Sequence, residues 1–447
     1  MKTKNMEVPP EVHEIIETLN GHGFEAYLVG GCVRDSILGR IPSDWDIATN
    51  AKPHEVKNLF KKTVNTGVKH GTVTLPANDA SYEVTTYRTE GAYIDHRRPG
   101  TVRFTSSLKE DLGRRDFTVN AIAYHPLHGY VDFYNGMEDI SRRVIRTVGD
   151  PARRFGEDAL RMLRAVRFCA QLDFSMEEGT FHSIRENSSL IDKISGERIR
   201  DELTKILLSQ HPLKFSLLND TGLLQYILPE FIPCFSTGQK HPYHIYDVAE
   251  HTLRSVGCIA GDKILRWTML LHDIGKPGTK TTDAAGIDHF YGHPRESANI
   301  AGQVLKRLRF DNKSAKSILD LIEYHDKNIE PSPKSVKRFV RQLGEDLFLD
   351  LLKVKEADKR AQNPQYSESR LKELERIRSI FYGIKEKGEC MDLKDLAVDG
   401  NDLMSLGFKR GKEIGEMLDR LLELVIDNPE LNSRDRLMDI VARGLNK

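Results

Sequence analysis

Two aspartates one residue apart, Asp44 and Asp46, lie in the string GGCVRDSILGRIPSDWDIAT and could together hold a metal ion. Alternate side chains of an extended segment point to the same side, so both carboxylates would share one face. Paired carboxylates suit Mg²⁺, which completes its ligand shell with substrate phosphates and water. An isolated Asp-x-Asp is usually a solvated turn, but here Gly30, Gly31 and Arg34 precede it, and glycine lets backbone amides approach a phosphate closely. The string therefore predicts a site for a triphosphate and Mg²⁺.

A second group of polar residues follows Pro151, in RRFGEDALRMLRAVRFCAQLDF (153–174). At about 100° per residue, the apolar side chains share one face of a helix: Ala159, Met162, Leu163, Val166 and Ala170. The polar side chains fall on the other face: Glu157, Asp158, Arg161, Arg164 and Arg167. Such a face is usually only solvated, but three arginines in steps of three beside an aspartate exceed what solubility needs. Asp158 accepts and Arg161 donates hydrogen bonds, so the pair could read the edge of a base, while the other arginines could meet phosphates.

Histidines and aspartates form a third group after residue 240. The run LRWTMLLHDIGKP places His272 and Asp273 directly after an apolar, helix-like segment, with His251 upstream and Asp358 downstream. Histidine and aspartate ligands contributed by several helices suit a transition metal such as Mn²⁺, Ni²⁺ or Co²⁺. A metal ion there would activate water for hydrolysis. The chain has 16 histidines, so a His-Asp pair also arises easily by chance.

Composition bounds the class of protein. The 447 residues allow two to four domains, and 66 basic residues balance 66 acidic ones, so net charge alone predicts no polyanionic partner. Between residues 97 and 167, however, fourteen basic residues face nine acidic ones, and thirteen of the fourteen are arginine, which recognises phosphates and base edges. Five cysteines without a C-x-x-C pair predict reduced thiols in a cytoplasmic protein. No segment has membrane-spanning length, so we expect no membrane partner.

Residues 25 to about 175 closely resemble the head and neck of the class II tRNA nucleotidyltransferase and poly(A) polymerase family. The matching strings are LVGGCVRD…SDWDIAT, RRDFTVNA and GEDALRMLRAVRFCAQLDF. The resemblance implies Mg²⁺ on Asp44 and Asp46, and addition of C, C and A from CTP and ATP to the 3′ end of tRNA without a nucleic-acid template. It implies that Asp158 and Arg161 select the nucleotide. The other implied nucleotide-binding residues are Gly31, Arg34, Arg115, Arg164 and Arg167.

Members of this family differ in what they add: CCA, only CC, only A, or a poly(A) tail. The segment 90–112 carries features that accompany addition of the terminal A in this family: Tyr93, Asp95, Arg97, Arg98 and Pro99. These features argue against an enzyme that adds only CC, but leave full CCA addition and A-only addition both open. The final residues, LNSRDRLMDIVARGLNK, are not the basic extension typical of the poly(A) polymerases.

Residues 241–362 resemble the HD phosphohydrolase superfamily, and some tRNA nucleotidyltransferases carry such a domain. The residues that match its order are His251, His272, Asp273, His293, His325 and Asp358. The resemblance implies one metal ion, and His293 and His325 would allow a second. The sequence does not identify the phosphoester, and 2′,3′-cyclic or terminal phosphates at RNA ends are the natural expectation. Two rival hypotheses are a phosphohydrolase whose head only binds nucleotide and a non-catalytic RNA-binding protein. Intact Asp44 and Asp46 count against the first, and two complete sets of metal-type residues count against the second.

Strand and helix patterns alternate up to about Gly149, and helical periodicity dominates from Pro151. This pattern predicts an α/β domain followed by helices, and with the two resemblances it implies an α/β nucleotidyltransferase head followed by an all-α neck, body, HD domain and tail. The expected boundaries are 1–150 for the head, 151–240 for the neck and body with the nucleotide-selecting helix, 241–362 for the HD domain, and 363–447 for a helical tRNA-binding tail. The proline-containing segment 228–244 predicts a joint, and QNPQYSESR after Ala361 predicts a linker.

Overall fold

The structure, a computed structural model, describes all residues except 1–5, 68–70, 78–79, 92, 95–97, 100 and 446–447. The chain divides into two compact units, Met1–Ile232 and Pro233–Lys447. This division lies inside the segment 228–244, whose prolines predicted a joint. Each unit has its own buried apolar core.

A seven-stranded mixed sheet organises the first part of the first unit. The strands of this unit are β1 Ala26–Val29, β2 Asp46–Thr49, β3 Val64–Gly67, β4 Thr72–Ala77, β5 Ala80–Thr86, β6 Arg88–Glu90, β7 Tyr93–Ile94, β8 Arg98–Pro99, β9 Val102–Phe104, β10 Ile122–His125, β11 Gly129–Asp132, β12 Val144–Ile145 and β13 Ser175–Met176. The sheet order is β11-β10-β1-β2-β5-β4-β3, and β2 with β5 is its parallel pair. The other described pairs in this sheet are antiparallel. Strands β1 and β2 are antiparallel neighbours near the middle of the sheet, so the end of β1 lies beside the start of β2.

Helices flank the sheet and then replace it. They are α1 Pro10–Gly21, α2 Gly31–Ile37, α3 Pro53–Leu59, α4 Leu108–Gly113, α5 Gly136–Arg142, α6 Pro151–Glu157, α7 Leu160–Leu172, α8 Glu178–Asn187, α9 Gly196–Leu207, α10 Leu217–Asp220 and α11 Leu224–Ile227. The apolar face predicted for 153–174 is confirmed, since all five of its residues have no exposed surface. Helices α7 and α9 pack against each other. The predicted change from an α/β head to helices after Pro151 is confirmed.

The single helix predicted over 153–174 is wrong. Helix α6 ends at Glu157, and Asp158 has extended backbone angles, φ −139° and ψ 105°. The Asp158 side chain instead accepts a hydrogen bond from the backbone amide of Leu160 at 3.1 Å. A short carboxylate that bonds nearby backbone favours the start of a helix over its interior. The break therefore places Asp158 between two helices, ahead of Arg161 rather than on the same helix.

The second unit consists almost entirely of helices. They are α12 Val248–Cys258, α13 Lys263–Leu271, α14 Lys276–Thr279, α15 His293–Arg307, α16 Asn312–Tyr324, α17 Pro333–Leu343, α18 Glu345–Arg360, α19 Pro364–Glu386, α20 Gly400–Ser405, α21 Lys412–Asp427 and α22 Arg434–Leu445. A small hairpin of β14 Thr281–Thr282 and β15 Asp288–His289 precedes α15. Trp267, Phe348 and Phe381 are fully buried in this unit.

The linker predicted after Ala361 is also wrong. Asn363 caps α19 by accepting a hydrogen bond from the Gln365 amide at 3.1 Å, and Pro364 occupies the first helical position. Proline suits that position because its missing N–H would have no partner there anyway. The polar, proline-containing string is therefore the start of a 23-residue helix.

Candidate functional site

The first candidate site is a cleft of about 630 Å³ in the first unit, called here the head cleft. Asp46 is the first residue of β2, at the end of the pair with β1. Asp44 precedes the strand, is exposed, and accepts a hydrogen bond from Ser43 Oγ at 2.9 Å. Both carboxylates line the cleft, although the regular strand begins only at Asp46.

The two carboxylates are electrostatically unfavourable neighbours. Burial raises the pKa of Asp46; Arg115 opposes this shift, while Glu83 and Asp44 add to it. A divalent cation would relieve the repulsion between Asp44 and Asp46 and favour the ionised form of Asp46. An all-oxygen donor pair of this kind fits Mg²⁺.

Glycine is required where β1 meets α2. Gly30 has a φ of 79°, a conformation that side chains rarely adopt. A Cβ atom there would lie 2.9 Å from Nη1 of Arg115 and 3.7 Å from Oδ2 of Asp46. Gly30 and Gly31 both line the head cleft. The glycine pair therefore leaves room for an arginine and a carboxylate at the same point.

The predicted triphosphate contacts are held in place by neighbouring side chains. Arg34 on α2 is buried, and its Nη1 donates to Asn120 Oδ1 at 2.7 Å. Arg115 follows α4, where the buried Asp111 lies 3.5 Å from its Nη2. Gly31, Arg34 and Arg115 all line the cleft, together with Asn120. The structure thus brings the predicted contacts to one place.

The polar side chains around α7 are paired rather than solvated. Arg161 donates to Glu157 Oε2 at 2.7 Å, and Asp158 Oδ2 accepts from Arg198 at 3.2 Å. Arg167 lies 2.9 Å from Glu202. Arg161 and Arg167 are buried, so this side of the helix is not merely a solvated face. Buried arginines are found where a carboxylate partner offsets the cost of removing their charge from water.

Arg164 forms a further pair with Asp116. Its Nε donates to Asp116 Oδ2 at 2.7 Å, and its Nη2 donates to the same oxygen. Burial alone would raise the pKa of Asp116, but Arg164 outweighs burial and holds that pKa well below its usual range. The Asp116 carboxylate therefore stays charged and fixes the direction of Arg164.

Several of these partners were not assigned a role at the sequence level, although Glu157 was placed on the polar face. Asp116, Asn120, Glu157, Arg198 and Glu202 either line the cleft or hold residues that do. Arg198 and Glu202 lie four residues apart on α9, so they share one face of that helix. That spacing in GERIRDEL was an available signal.

The segment expected to support A addition is only partly described. Asp95 and Arg97 lie outside the described residues, and the side chains of Tyr93, Arg98 and Pro99 are not described either. The backbone of β7 pairs antiparallel with β8, with Tyr93 opposite Pro99. The role of this segment stays a prediction.

The second candidate site lies in the second unit and is called here the histidine–aspartate centre. Its members are His251, His272, Asp273, His293, His325 and Asp358. Asp273 is the shared member: its Oδ2 lies 3.3 Å from His272 Nε2, and its Oδ1 lies 3.3 Å from His293 Nε2. His251 Nε2 lies 3.0 Å from Asp358 Oδ1. The predicted residues therefore come together, from five positions across α12 to α18.

Backbone carbonyls fix how three of the imidazoles point. The Nδ1 atoms of His272, His293 and His325 donate to the carbonyls of Met269, Phe290 and Ile322 at 2.7, 2.8 and 2.6 Å, respectively. A carbonyl can only accept, so each Nδ1 carries a proton, and in the neutral ring Nε2 is the atom with the free lone pair. Metal-binding histidines are oriented in this way in many proteins. The Nε2 atoms all face Asp273.

The donor set fits metal ions. His251, His272 and Asp273 form one group, and Asp273, His293 and His325 form another; the ligand atoms within each group lie within 4.8 Å of one another. Two donors bound at about 2.1 Å to one ion are at most about 4.2 Å apart, so only small shifts are needed. His272 Nε2 is fully buried without a hydrogen-bond partner in the described part of the chain. Two ions sharing Asp273 would satisfy both groups.

The electrostatics of this centre also favour bound positive charge. Burial opposes protonation of His272, yet Asp273 and Asp358 outweigh it and raise the pKa of His272 to about 10. Burial likewise works against ionisation of Asp273 and Asp358, but the neighbouring histidines hold both pKa values well below the ordinary range. A metal ion would replace the proton on His272, because histidine binds metals in its neutral form.

Known proteins resemble this chain over most of its length. The CCA-adding enzyme of Lactobacillus helveticus is 38% identical over 425 residues, which cover 95% of this chain and 94% of that one. The CCA-adding enzyme of Lactobacillus delbrueckii subsp. bulgaricus is 35% identical, with 98% of each chain covered. The chain belongs to the CCA-adding enzyme family. Three parts of this chain match family models. Residues 26–146 match the Poly A polymerase head domain, residues 173–235 match an RNA and SrmB-binding region of polymerase A, and residues 295–441 match domain 2 of tRNA nucleotidyltransferases.

A solved CCA-adding enzyme has the same fold. The structure of the Bacillus stearothermophilus CCA-adding enzyme in complex with CTP is 31% identical, with a TM-score of 0.74 and 98% of each chain covered. The expected fold class, an α/β head followed by helices, is confirmed. No helix among the described residues is both long enough and apolar enough to cross a lipid bilayer.

Proposed function

We propose that the head cleft of this CCA-adding enzyme is where CTP and ATP donate nucleotides to the 3′ end of tRNA. The observation that carries this proposal is the meeting of Asp44 and Asp46 with a glycine turn and Arg115 in one cleft. The family adds C, C and A without a nucleic-acid template, and two of its members are 38% and 35% identical to this chain over 95% and 98% of its length. This tRNA nucleotidyltransferase therefore pairs a metal-type carboxylate site with a phosphate-type arginine site.

Asp44 and Asp46 would hold Mg²⁺ in this cleft. A bound Mg²⁺ supplies charge that neutralises the triphosphate and favours ionisation of the attacking 3′-hydroxyl of the RNA. Gly31 leaves the backbone accessible to phosphate, and Arg34 and Arg115 add fixed positive charge. Catalysis in such a site rests mainly on positioning and on charge stabilisation, because phosphoryl chemistry needs little covalent help from the protein.

Asp158 and Arg161 are the proposed selectors of the nucleotide. In the structure each is held by a protein partner, Arg198 for Asp158 and Glu157 for Arg161. Both selectors line the head cleft, so a base could replace those partners with its own donors and acceptors. Arg164 and Arg167 would lie near the phosphates, held by Asp116 and Glu202.

The decisive experiment uses three tRNA transcripts: one that ends before CCA, one after CC, and one complete. We expect labelled CTP to extend the first and labelled ATP to extend the second, while the complete tRNA accepts neither. Asp192→Asn is the matched carboxylate control for a change such as Asp46→Asn in the cleft, because Asp192 is exposed and lies outside the cleft. If the wild type extends only the transcript that ends in CC, it is an A-adding enzyme and the proposal fails in that part.

A second candidate function belongs to the histidine–aspartate centre. We infer that it is a metal-dependent phosphohydrolase site, supported by four histidines and two aspartates whose donor atoms converge. A bound transition metal would polarise water and stabilise charge on a phosphate. The test is the metal content of the purified protein after incubation with Mn²⁺, Ni²⁺ or Co²⁺. We expect up to two ions per chain in the wild type and fewer in His272→Ala; equal metal content in both would overturn the assignment.

Two further assignments stay predictions. The tail, 363–447, is proposed to contact tRNA, and most of it lies within the match to domain 2 of tRNA nucleotidyltransferases. A cytoplasmic location is supported by five free cysteines, four of them buried. Truncation of the tail should weaken tRNA binding in a filter-binding assay; unchanged affinity would contradict its role.

A further inference from the structure

The histidine–aspartate centre opens into a cavity of about 380 Å³ whose lining contains more than the metal-type residues. Besides the metal-type residues, the lining includes two cations, Lys276 and Arg370, and an exposed aromatic residue, Tyr291. A metal site that served only structure would need neither feature. The cavity therefore has the shape and the groups of a ligand site.

Both cations are connected to the centre, Lys276 directly and Arg370 through Gln362. Lys276 Nζ lies 2.7 Å from Asp273 Oδ2 and donates to Gln239 Oε1 at 2.8 Å. Arg370 donates to Gln362, whose amide nitrogen donates to Asp358 Oδ2 at 3.0 Å. Positive charges held beside paired metal ligands suit a phosphate group.

Arg370 also rests on an aromatic ring. Its guanidinium lies 4.8 Å from the ring centroid of Tyr243, which is another residue of the cavity lining. Contact with the ring face and the hydrogen bond to Gln362 leave the guanidinium little freedom. Arg370 is therefore a preorganised group at the cavity rather than a mobile surface side chain.

Tyr291 provides a stacking surface at the same cavity. Its ring is stacked on His289, with centroids 5.3 Å apart and planes only 7° from parallel, and the residue is 76% exposed. A single exposed aromatic side chain is ordinary. This one differs because it lines the cavity and because a neighbouring ring already holds it flat. His289 is in turn fixed by Asp283, 2.9 Å from its Nε2.

The backbone joins Tyr291 to the centre. The carbonyl of Phe290 accepts from Nδ1 of His293, a member of the centre. The ring of Phe290 lies beneath Lys276, with Nζ 5.3 Å from its centroid. The loop that presents Tyr291 is thus the one that orients His293 and supports Lys276.

We propose that Tyr291 is the base-binding residue of this cavity: the base of a nucleotide phosphoester stacks on its ring while the phosphate faces Lys276, Arg370 and the centre. The inference rests on the proposed phosphohydrolase function and names the residue that recognises the base. Unstacked bases of RNA ends bind aromatic side chains in this way. In the reaction a water oxygen bonds to phosphorus, the P–O ester bond breaks, and the departing sugar oxygen takes the proton that the water loses.

The experiment compares two substrates on the full-length protein loaded with Mn²⁺. One is adenosine 2′,3′-cyclic phosphate, and the other is methyl riboside 2′,3′-cyclic phosphate, which lacks the base. We expect Tyr291→Ala to raise KM for the adenosine substrate about tenfold, the scale of losing one base–aromatic stack. KM for the methyl riboside, kcat for both substrates and metal content should remain within about twofold, and Tyr291→Phe should behave as the wild type.

Tyr382→Ala is the matched control, because Tyr382 is a similarly exposed tyrosine outside the cavity. A second readout is inhibition of methyl riboside hydrolysis by adenosine 3′-phosphate, which reports binding at this site and not in the head cleft. We expect inhibition to weaken about tenfold in Tyr291→Ala. If KM for the adenosine substrate is the same in Tyr291→Ala as in the wild type, this inference is overturned while the phosphohydrolase function stands. Absence of bound metal and of hydrolysis of either substrate would overturn both.

Discussion

The head cleft and the histidine–aspartate centre are both built around paired aspartates, but they differ in how those aspartates are surrounded. In the head cleft Asp44 is exposed, and Asp46 repels it. In the centre Asp273 is 1% exposed and has His272, His293 and Lys276 within 3.3 Å. One site offers exposed oxygen atoms, whereas the other offers a mostly buried set of nitrogen and oxygen atoms at the base of a cavity.

This difference bears on which ion each proposed site would favour. Oxygen-only, partly open sites suit Mg²⁺, which keeps waters and shares its shell with substrate phosphates. Imidazole-rich sites with oriented rings suit transition metals. Under the proposed functions, the head cleft would rely on its substrate to complete the metal site, whereas the protein alone would supply most of the metal ligands in the centre.

The largest effect is expected from removing a carboxylate in the head cleft. Asp46→Asn removes one charge from the metal pair and should lower nucleotide addition by at least about a hundredfold, the scale of losing a main electrostatic contribution to catalysis. Affinity for tRNA should stay within about twofold in a gel-shift assay, because these carboxylates hold metal rather than RNA. Retention of more than a few per cent of the wild-type turnover at saturating Mg²⁺ would contradict a role as metal ligand.

The matching change in the histidine–aspartate centre should leave the rate of nucleotide addition unchanged. Asp273→Ala removes the aspartate that both ligand groups share, so metal content and hydrolysis of cyclic phosphates should both be lost. CCA addition should stay within about twofold, because the two sites belong to separate compact units. Circular dichroism would check that the second unit is still folded. A parallel loss of CCA addition in a folded variant would show that the sites are coupled.

A smaller effect separates the selecting residues from the metal ligands within the head cleft. Asp158→Ala and Arg161→Ala should lower the preference for CTP and ATP over UTP and GTP by roughly tenfold, because one paired contact to a base edge contributes about 1–3 kcal/mol. The measurement is kcat/KM for each nucleotide on one tRNA. Arg142→Ala, at an exposed arginine outside the cleft, is the control. Unchanged rejection of UTP and GTP would disprove the assignment.

The smallest expected effect concerns one step of the reaction. Deletion within Tyr93–Pro99 should lower A addition by a larger factor than C addition, since this segment resembles the one that accompanies addition of the terminal A. Single-nucleotide extension of transcripts that lack CCA or end in CC measures the two steps separately. An equal loss of both steps would instead indicate general damage to the head.

Short-range features of this molecule were predictable from the sequence, and long-range pairings were not. The carboxylate pair, the glycine turn and the apolar face of α7 follow from spacing over a few residues. The partners of Asp158 and Arg164, namely Arg198 and Asp116, are 40 and 48 residues distant in sequence. Only folding brings such residues together, so no local pattern identifies which residue pairs with which.

The two errors in secondary structure have a common cause. Asp158 and Asn363 each bond to backbone at the start of a helix. The first was interpreted as part of a continuous helix, and the second as part of a linker. Capping residues have side chains that serve either purpose, and hydrogen bonding decides which. The centre shows the same limit, because its residues were predictable by type and order whereas the carbonyls that aim their rings were not.

The protein partners of Asp158 and Arg161 have a consequence for accuracy under the proposed role of these two residues as selectors. Because Glu157 already bonds Arg161 and Arg198 already bonds Asp158, an incoming base would have to displace them, and only the difference between the two sets of bonds would favour binding. A base that satisfied one selector and not the other would leave a poorly solvated polar group without a partner, at a cost of about 1–3 kcal/mol. The wrong nucleotide would thus compete against the protein itself, and fidelity would begin before any nucleotide arrives.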